Sequence, residues 1–195
     1  MRITGGMWRS RSIKAPKGRT TRPTSDRVRE ALFSMLEADA HLGGRSEGER
    51  VLDLYAGSGA LAFEALSRGA KSAVLVEQAR DALATIRDNA RSLGTEGRIT
   101  IVHGRVEHAV IAVAGPFDVI VADPPYAHIH TLSFQAVLEA TPKLLAASGA
   151  FVLEHASSDQ APAVARLTLD RSRRYGDTTL SVYRHAGECV SRPPL

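Results

Sequence analysis

The sequence predicts an α/β protein in which helices cover both faces of a mostly parallel sheet. From residue 50 onward, short runs rich in β-branched residues alternate with helical runs that show apolar periodicity. A glycine-rich turn follows the first of these runs directly, as in doubly wound folds that bind a nucleotide. Near the end of the chain, two β-prone pieces flank Gly176-Asp177 with no helix between them, which predicts an antiparallel hairpin that closes the sheet.

The alternating part of the chain predicts strands joined by helical crossovers. The strands are Val51–Tyr55, Ser72–Glu77, Ile99–His103, Phe117–Ala122 and Gly149–Glu154. The helices are Leu61–Ser67, Arg80–Leu93, Val106–Val113 and Leu132–Ala146. This order favours parallel pairing, because parallel neighbours need a long connection that returns along the sheet. The final hairpin would pair Leu167–Leu169 with Thr179–Tyr183.

Two further segments flank this region. Residues 1–22 are predicted to form a small basic hairpin or arm around Gly5-Gly6. A helix is expected over 24–38, since apolar residues recur at helical spacing after the possible caps Thr24 and Ser25. The main domain would cover 23–185, and residues 186–195 would form a flexible tail.

Length and composition restrict the class of protein. A chain of 195 residues, 44% apolar and 24% charged, is expected to bury a core in one globular domain. Its single cysteine, Cys189, excludes an internal disulfide and a cysteine-based metal site. No apolar run has the length of a signal peptide core or a membrane-spanning helix. We therefore expect a soluble, cytoplasmic protein, and a monomer.

Positive charge is concentrated at the start of the chain. Residues 1–30 contain nine Lys and Arg against two acidic residues, a net charge of +7, whereas residues 31–195 contain 16 basic and 19 acidic residues, a net charge of −3. This distribution suggests a polyanionic partner, although a tail that only aids solubility would explain it equally well. The candidate phosphate contacts are Arg2, Arg9, Arg11, Lys14, Lys17, Arg19 and Arg22.

The first candidate site is the stretch Asp-Leu-Tyr-Ala-Gly-Ser-Gly-Ala, which starts at Asp53. Gly57, Ser58 and Gly59 lie between a strand and a helix, where glycine lets the backbone approach a ligand closely. Glu77, at the end of the next strand, is placed to bind two ribose hydroxyls. The spacing also fits a dinucleotide such as NAD. Asp53 would repel a pyrophosphate and suit a ligand with a positively charged amino-acid end, so S-adenosylmethionine fits better.

The second candidate site is Asp123-Pro124-Pro125-Tyr126, directly after the fourth predicted strand. Both sites would share one edge of the sheet, because the strands end there together. An exocyclic amine of a nucleobase is a poor nucleophile, since its lone pair is delocalised into the ring. The Asp123 carboxylate and the Pro124 carbonyl could orient its N–H groups, with the prolines fixing the backbone and Tyr126 stacking on the base. Read alone, the Pro-Pro pair could also be a rigid turn.

These motifs, in this order, resemble class I S-adenosylmethionine-dependent N-methyltransferases, which have a Rossmann-like, seven-stranded, mostly parallel sheet. Three further blocks narrow the resemblance to the bacterial RsmD family: Ile3-Thr4-Gly5-Gly6, the run Arg-Pro-Thr-Ser-Asp-Arg-Val-Arg-Glu-Ala-Leu-Phe at 22–33, and Tyr175-Gly176-Asp177-Thr178. The similarity extends over about residues 1–184. Members of this family are 16S ribosomal RNA (guanine-966-N2)-methyltransferases.

The resemblance implies methyl transfer from S-adenosylmethionine to N2 of one guanine in 16S rRNA. The substrate would be the small ribosomal subunit or a late precursor, with the base flipped into the pocket at residues 123–126 and the N-terminal extension on the RNA. The residues implied in cofactor binding are Asp53, Gly57, Ser58, Gly59 and Glu77, together with Thr24, Asp26 and Arg27 of a matched block that would close over the cofactor.

One position departs from the family pattern. After the third strand, such enzymes usually carry an aspartate that reads the adenine amine, and Arg105 stands there instead. The adenine contact would then come from backbone groups, from Glu107 or from His108. No metal is expected, because His128 and His130 have no cysteine or well-placed carboxylate beside them.

Other functions stay open. An N-methyltransferase could act on another planar amine, such as adenine N6 in DNA or a protein glutamine, although Asn often replaces Asp123 in those groups. A non-catalytic rRNA-binding assembly factor could keep the fold and lose the cofactor, which Arg105 mildly favours. An NAD-dependent enzyme ranks third, since Asp53 and the motif at residues 123–126 oppose it.

Overall fold

The computed structural model describes residues 1–16, 25–39, 42–43 and 48–187. Within these residues a seven-stranded sheet has the order β3-β2-β1-β4-β5-β7-β6. Its strands are β1 (Arg50–Leu54), β2 (Ser72–Glu77), β3 (Ile99–His103), β4 (Phe117–Ala122), β5 (Leu145–Ala156), β6 (Leu167–Tyr175) and β7 (Thr178–His185). Strands β1 to β5 pair in parallel, and β7 pairs antiparallel with β5 and β6. The predicted fold class, including the C-terminal hairpin, is confirmed.

Five helices in the described residues cover the two faces of the sheet. They are α1 (Asp26–Ala38), α2 (Ala60–Ser67), α3 (Arg80–Leu93), α4 (Val106–Ala112) and α5 (Leu132–Leu144). Helices α1, α2 and α3 pack on one face, where Val119 and Val121 of β4 point, and α4 and α5 pack on the other, with Ile120 and Ala122. This alternation along β4 places a separate apolar cluster on each side of the sheet.

The hairpin strands are longer than the sequence pattern indicates. β6 extends to Tyr175, well beyond the predicted Leu169, because its backbone pairs with the buried strand β7 as far as Tyr175 and Thr178. β5 also begins earlier, at Leu145, directly after α5. An edge strand that faces water on both sides has little apolar alternation, so its length could not be read from the sequence.

Residues 1–16 fold back on themselves and pack against the main domain. An antiparallel bridge joins Arg2 to Ser12, and a short 3₁₀ turn, Gly6–Trp8, lies between them. Beside the bridge, the Ile3 N–H donates to the Arg11 carbonyl at 3.0 Å and the Ile13 N–H donates to the Met1 carbonyl at 3.1 Å. The hairpin or arm expected over residues 1–22 lies only partly within the described residues and stays a prediction. Ile3 and Ile13 are buried in the cluster that contains α1 and α2. The predicted residues Lys17, Arg19, Arg22 and Thr24, and the predicted tail from residue 188 onward, lie outside the described residues.

Candidate active site

The site lies at the carboxyl edge of the sheet, where a row of side chains crosses four strands. The register aligns, from β2 across β1 and β4 to β5, the residues Leu75, Asp53, Val121 and Val152. Two positions further along each chain segment, the next row consists of Glu77, Tyr55, Asp123 and Glu154. Tyr55 has a positive φ of 66°, and its ring packs on the side of the sheet that α5 covers. All four members of this second row line one cavity of about 460 Å³. The topology therefore brings the two predicted motifs together.

The cavity has a negative wall. Its carboxylates belong to Glu77, Asp123, Glu154 and Asp177, and no lysine or arginine side chain is among the described residues that line it. Carboxylate oxygens accept hydrogen bonds, so this wall suits a ligand that carries N–H or O–H donors. The carboxylate from the hairpin, Asp177, and its neighbour Thr178 enter the site because β7 pairs with β5 beside the motif.

Asp53 lies behind the glycine turn, beneath the start of α2. Its side chain is 1% exposed, and its Oδ2 accepts a hydrogen bond from the Ala62 N–H at 3.1 Å. Its Oδ1 is buried and has no hydrogen-bond partner in the described structure. Burial raises the pKa of Asp53 to about 8; the Ala62 hydrogen bond opposes this rise, and the charges of Asp123 and Glu77 add to it. Asp53 is not among the described residues that line the cavity, although Tyr55, Ala56 and Gly57 after it are. A buried oxygen without a partner is suited to a positively charged donor.

Glu77 joins the end of β2 to the glycine turn. Its Oε2 accepts a hydrogen bond from the Gly57 N–H at 2.8 Å, and its Oε1 accepts from the N–H groups of Gln78 and Ala79, both at 2.8 Å. The side chain is 4% exposed and lines the cavity. These backbone donors fix the carboxylate in place, and the predicted position beside the glycine turn is the one observed.

The two glycines of the turn have different roles. Gly57 lines the cavity with φ +57°, and a Cβ there would meet only the Tyr55 carbonyl oxygen, at 3.9 Å. Gly59 has φ +79° and does not line the cavity; a Cβ there would lie 2.6 Å from Cε2 of Phe63 and 3.1 Å from Cδ2 of Leu75. Gly59 was also expected to approach a ligand; the structure places it at a position where packing against Phe63 and Leu75 leaves no room for a side chain. Ser58 lines the cavity as predicted.

Asp123, Pro124, Pro125 and Tyr126 all line the cavity. The Tyr126 ring is 40% exposed, and its hydroxyl group lies 2.9 Å from Oγ1 of Thr178 at the start of β7. This contact ties the loop after β4 to the C-terminal hairpin. An exposed ring fixed at its polar end presents a flat face on which a planar group can stack.

At the start of α1, the residues that line the cavity differ from those expected to bind the cofactor. Ser25 caps α1, accepting a hydrogen bond from the Val28 N–H at 3.2 Å, and both Ser25 and Val28 line the cavity. Asp26 and Arg27 do not line it, and Asp26 pairs with Arg29 at 2.7 Å. Ser25, Asp26 and Arg27 are all exposed, whereas Val28 is buried.

A buried ionic cluster, which sequence reasoning missed, explains much of the family-specific sequence. Glu64 of α2 is fully buried and accepts five hydrogen bonds at 2.7 to 3.3 Å, from Thr4 (backbone and side chain), Gly5, Arg29 and Arg68. This cluster, which we call the Glu64 cluster, attaches the N-terminal segment and α1 to α2. No local signal could have found it, because its members lie far apart in the chain.

The predicted adenine contacts lie away from the cavity wall. Arg105 is exposed and pairs with Glu107, its Nε at 2.6 Å from Oε1. Partial burial works against ionisation of Glu107, but a backbone hydrogen bond and Arg105 outweigh it, so the pKa of this carboxyl is below its usual range. His108 is exposed, and none of the three lines the cavity.

The predicted RNA contacts within residues 1–16 divide into two pairs. Arg2 and Arg9 are exposed. Arg11 donates to the Ser92 carbonyl at 2.6 Å, and Lys14 pairs with Asp88 at 3.0 Å, so both also hold the segment on α3. In the described part of the chain, no helix has the length and hydropathy to cross a membrane. Among the same residues, no group of three or more His, Cys, Asp or Glu side chains could hold a metal ion.

Comparison with known proteins identifies the class and the family. The solved structure "Putative methyltransferase yhhF from Escherichia coli" is similar with a TM-score of 0.80 and 30% identity, covering 95% of this chain and 97% of that one. The sheet order and the cavity at its carboxyl edge define the class I methyltransferase fold. The sequence matches the family described as conserved hypothetical protein 95 over residues 1–184. The chain thus belongs to this family, the RsmD family, as the motifs predict.

Two relatives indicate the breadth of the similarity. "Putative rRNA methyltransferase YlbH" of Bacillus subtilis is 33% identical over 191 residues, which cover 96% of this chain and 100% of that protein. "Ribosomal RNA small subunit methyltransferase D" of Escherichia coli K12 is 36% identical over 129 residues, which cover 65% of this chain and 60% of that protein.

Proposed function

We propose that this protein transfers a methyl group from S-adenosylmethionine to the exocyclic N2 of one guanine in 16S ribosomal RNA, the G966 type of site. The observation that carries the proposal is the row Glu77, Tyr55, Asp123 and Glu154 along one cavity, with the unpartnered Asp53 oxygen behind it. The relatives named rRNA methyltransferases support the RNA substrate. The reaction would take place in the bacterial cytoplasm, where the subunits are assembled.

The residues present fit S-adenosylmethionine. Asp53 offers a buried carboxylate oxygen to an ammonium group, Gly57 leaves open space, and Glu77 lies at the end of β2 where a ribose would bind. Ser58 and the helix start at Ser25 and Val28 complete this side of the cavity. When bound, the sulfonium supplies an electrophilic methyl group that needs no further activation.

Asp123 and Pro124 are assigned to the target amine. Their carboxylate and carbonyl oxygens would accept the two N–H groups of N2 and direct its lone pair toward the methyl group. Holding the reactants in line in this way can contribute about 7–11 kcal/mol. As N2 gains the methyl group it becomes acidic, and the Asp123 carboxylate, or a water beside it, takes the proton. Tyr126 would stack on the flipped base, which costs a few kcal/mol to remove from its neighbours.

The N-terminal segment is assigned to the RNA. We take residues 1–22 as the RNA-binding extension, 23–185 as the methyltransferase domain and 186–195 as a tail. Arg2 and Arg9 are exposed beside the domain that holds the cavity, and phosphate contacts from them would offset the cost of base flipping. The substrate would be the small subunit or a late precursor, and a single copy of the chain contains the whole row of site residues.

Radiolabelled S-adenosylmethionine and small subunits that lack this modification test the proposal. We expect N2-methylguanosine at one position after digestion of the RNA. Labelled N6-methyladenosine would indicate that adenine is the substrate, and label in protein would indicate a glutamine side chain. If the protein bound the subunit tightly but transferred no label, this would favour a non-catalytic assembly factor.

Asp123→Ala provides the matched test of the site. We expect it to lose nearly all turnover while the affinity for S-adenosylmethionine, measured by calorimetry, stays within a few fold. Asp81→Ala, on the exposed start of α3, is the control and should keep wild-type turnover. Wild-type turnover in Asp123→Ala would remove Asp123 from the mechanism.

A further inference from the structure

Glu154 is an acidic residue on the cavity wall that the methyl-transfer steps above do not use. It is 6% exposed and lies one residue beyond Leu153, which pairs with Ala122 of β4. Asp123 is the residue directly after Ala122, and both Asp123 and Glu154 line the cavity. Within β5, Glu154 is two positions beyond Val152, whose side of the sheet is covered by α1 and α2.

The strand order places Glu154 on the substrate side of Asp123. Across the sheet, Glu77 belongs to β2, the glycine turn follows β1, Asp123 follows β4 and Glu154 lies on β5. Glu77 and the turn form the side assigned to the cofactor, and Asp123 is the residue assigned to the target amine. A group on β5 is separated from Glu77 by Asp123, so it faces the rest of the base.

The edge of guanine has the donors that such a carboxylate needs. Its N1–H is attached to the same ring carbon as N2, so a base held by N2 at Asp123 presents N1–H next to it. A carboxylate accepts hydrogen bonds and cannot donate when ionised. Purines with an unprotonated N1, such as adenine or 2-aminopurine, would direct a lone pair at the carboxylate.

We infer that Glu154 accepts a hydrogen bond from the N1–H of the target guanine and thereby selects guanine over purines with an unprotonated N1. The inference rests on the proposed function and assigns the specificity of the same cavity. Enzymes that flip a base read its Watson–Crick edge by hydrogen bonds inside the pocket. A pocket built around a substrate N–H rejects an analogue that carries a lone pair in its place, because two acceptors then face each other.

The test compares guanine with 2-aminopurine at the methylated position of reconstituted small subunits. 2-Aminopurine keeps the 2-amino group that accepts the methyl group and replaces N1–H by a lone pair. The wild type should methylate guanine at least about 100-fold faster than 2-aminopurine, measured as kcat/KM. Equal rates on the two bases would overturn the inference without any variant, and absence of label on guanine would instead overturn the proposed function.

Glu154→Gln sharpens the test, because the amide keeps the shape of the side chain and can donate to an unprotonated N1. We expect kcat/KM on guanine to fall about 10- to 100-fold and the preference for guanine over 2-aminopurine to shrink by at least as much. Affinity for S-adenosylmethionine should stay unchanged, which also reports that the variant is folded. An unchanged preference in Glu154→Gln would overturn the inference.

Glu139→Gln, on the exposed face of α5, is the matched control and should behave as the wild type on both bases. A loss of activity on both bases by the same factor in Glu154→Gln would assign Glu154 to a structural role. The change in preference, which a structural role would not produce, separates the two explanations.

Discussion

Two buried carboxylates lie close to α2, and they differ in how many of their hydrogen bonds are made within the protein. Glu64 is fully buried and accepts hydrogen bonds from four residues, including two arginines. Asp53 is 1% exposed and accepts one, from Ala62, while its other oxygen has no partner in the described structure. A buried charge is stable only when it is paired, so Glu64 serves the fold and Asp53 has capacity left for a ligand.

The comparison teaches how to separate structure from function in a chain of this kind. The two carboxylates have almost the same exposure, and both lie on the face of the sheet that α2 covers. The completeness of their hydrogen bonds distinguishes them. Burial raises the pKa of Asp53 to about 8, which marks a group that an incoming cation would stabilise.

Removing Glu64, the carboxylate whose hydrogen bonds are made within the protein, should cause the largest loss of stability. Glu64→Ala removes the buried carboxylate that Arg29 and Arg68 share, and it releases Thr4 and Gly5. We expect the free energy of unfolding, measured with urea, to fall by about 3–5 kcal/mol. Glu37→Ala removes the exposed partner of Arg68 and should cost less than about 1 kcal/mol. If both variants lost the same free energy of unfolding, the buried Glu64 cluster would contribute no more to stability than an exposed ion pair.

Replacing Asp53 should have the opposite result: stability is kept, and affinity for S-adenosylmethionine is lost. Asp53→Asn keeps an acceptor for the Ala62 N–H and removes the buried charge, so stability near pH 8 should be maintained or increased. Affinity for S-adenosylmethionine should fall about 10- to 100-fold, because a charged hydrogen bond is lost. Calorimetric titration of the variant checks this. Unchanged affinity with a loss of stability would make Asp53 a structural residue like Glu64.

The pH dependence of stability tests directly whether the buried Asp53 carboxyl has a raised pKa. The ordinary pKa of 3.8 applies to Asp53 in the unfolded chain, and the native value is about 8. Between these values unfolding releases a proton from Asp53, so its contribution to the free energy of unfolding decreases as the pH rises from about 4 to about 8 and is constant above that range. Urea denaturation at several pH values should show this slope in the difference between wild type and Asp53→Asn. A flat difference would mean that the native carboxyl titrates normally.

Much of the site could be predicted from the sequence because its parts are local. β2, β3, β4 and α3 have the predicted bounds, since each combines a clear periodicity with a turn or cap at its ends. The two motifs were expected to meet because parallel strands end at one edge of the sheet. Their shared cavity follows from that rule, with Glu77 and Asp123 at the ends of β2 and β4.

The remaining features depend on contacts between distant parts of the chain. Glu64 meets Thr4 across 60 positions and Arg29 across 35, and no spacing rule connects them. Gly59 is required by the Phe63 ring, which only the folded turn brings near. Glu154 ends an apolar run in the sequence, and only the folded sheet brings it into the same cavity as Asp123.

The smallest effect on stability is expected at an exposed carboxylate, Asp88. Asp88 pairs with Lys14 in water: the hydrogen bond from Lys14, and then its charge, hold the pKa of Asp88 below its usual value. Lys14→Ala should leave the urea midpoint almost unchanged, because solvent screens such pairs. If Lys14 also contacts a phosphate, subunit binding should weaken and its salt dependence should decrease by about one counterion. A large loss of stability with unchanged binding would show that Lys14 holds the N-terminal segment in place, as the Glu64 cluster does, and does not contact RNA.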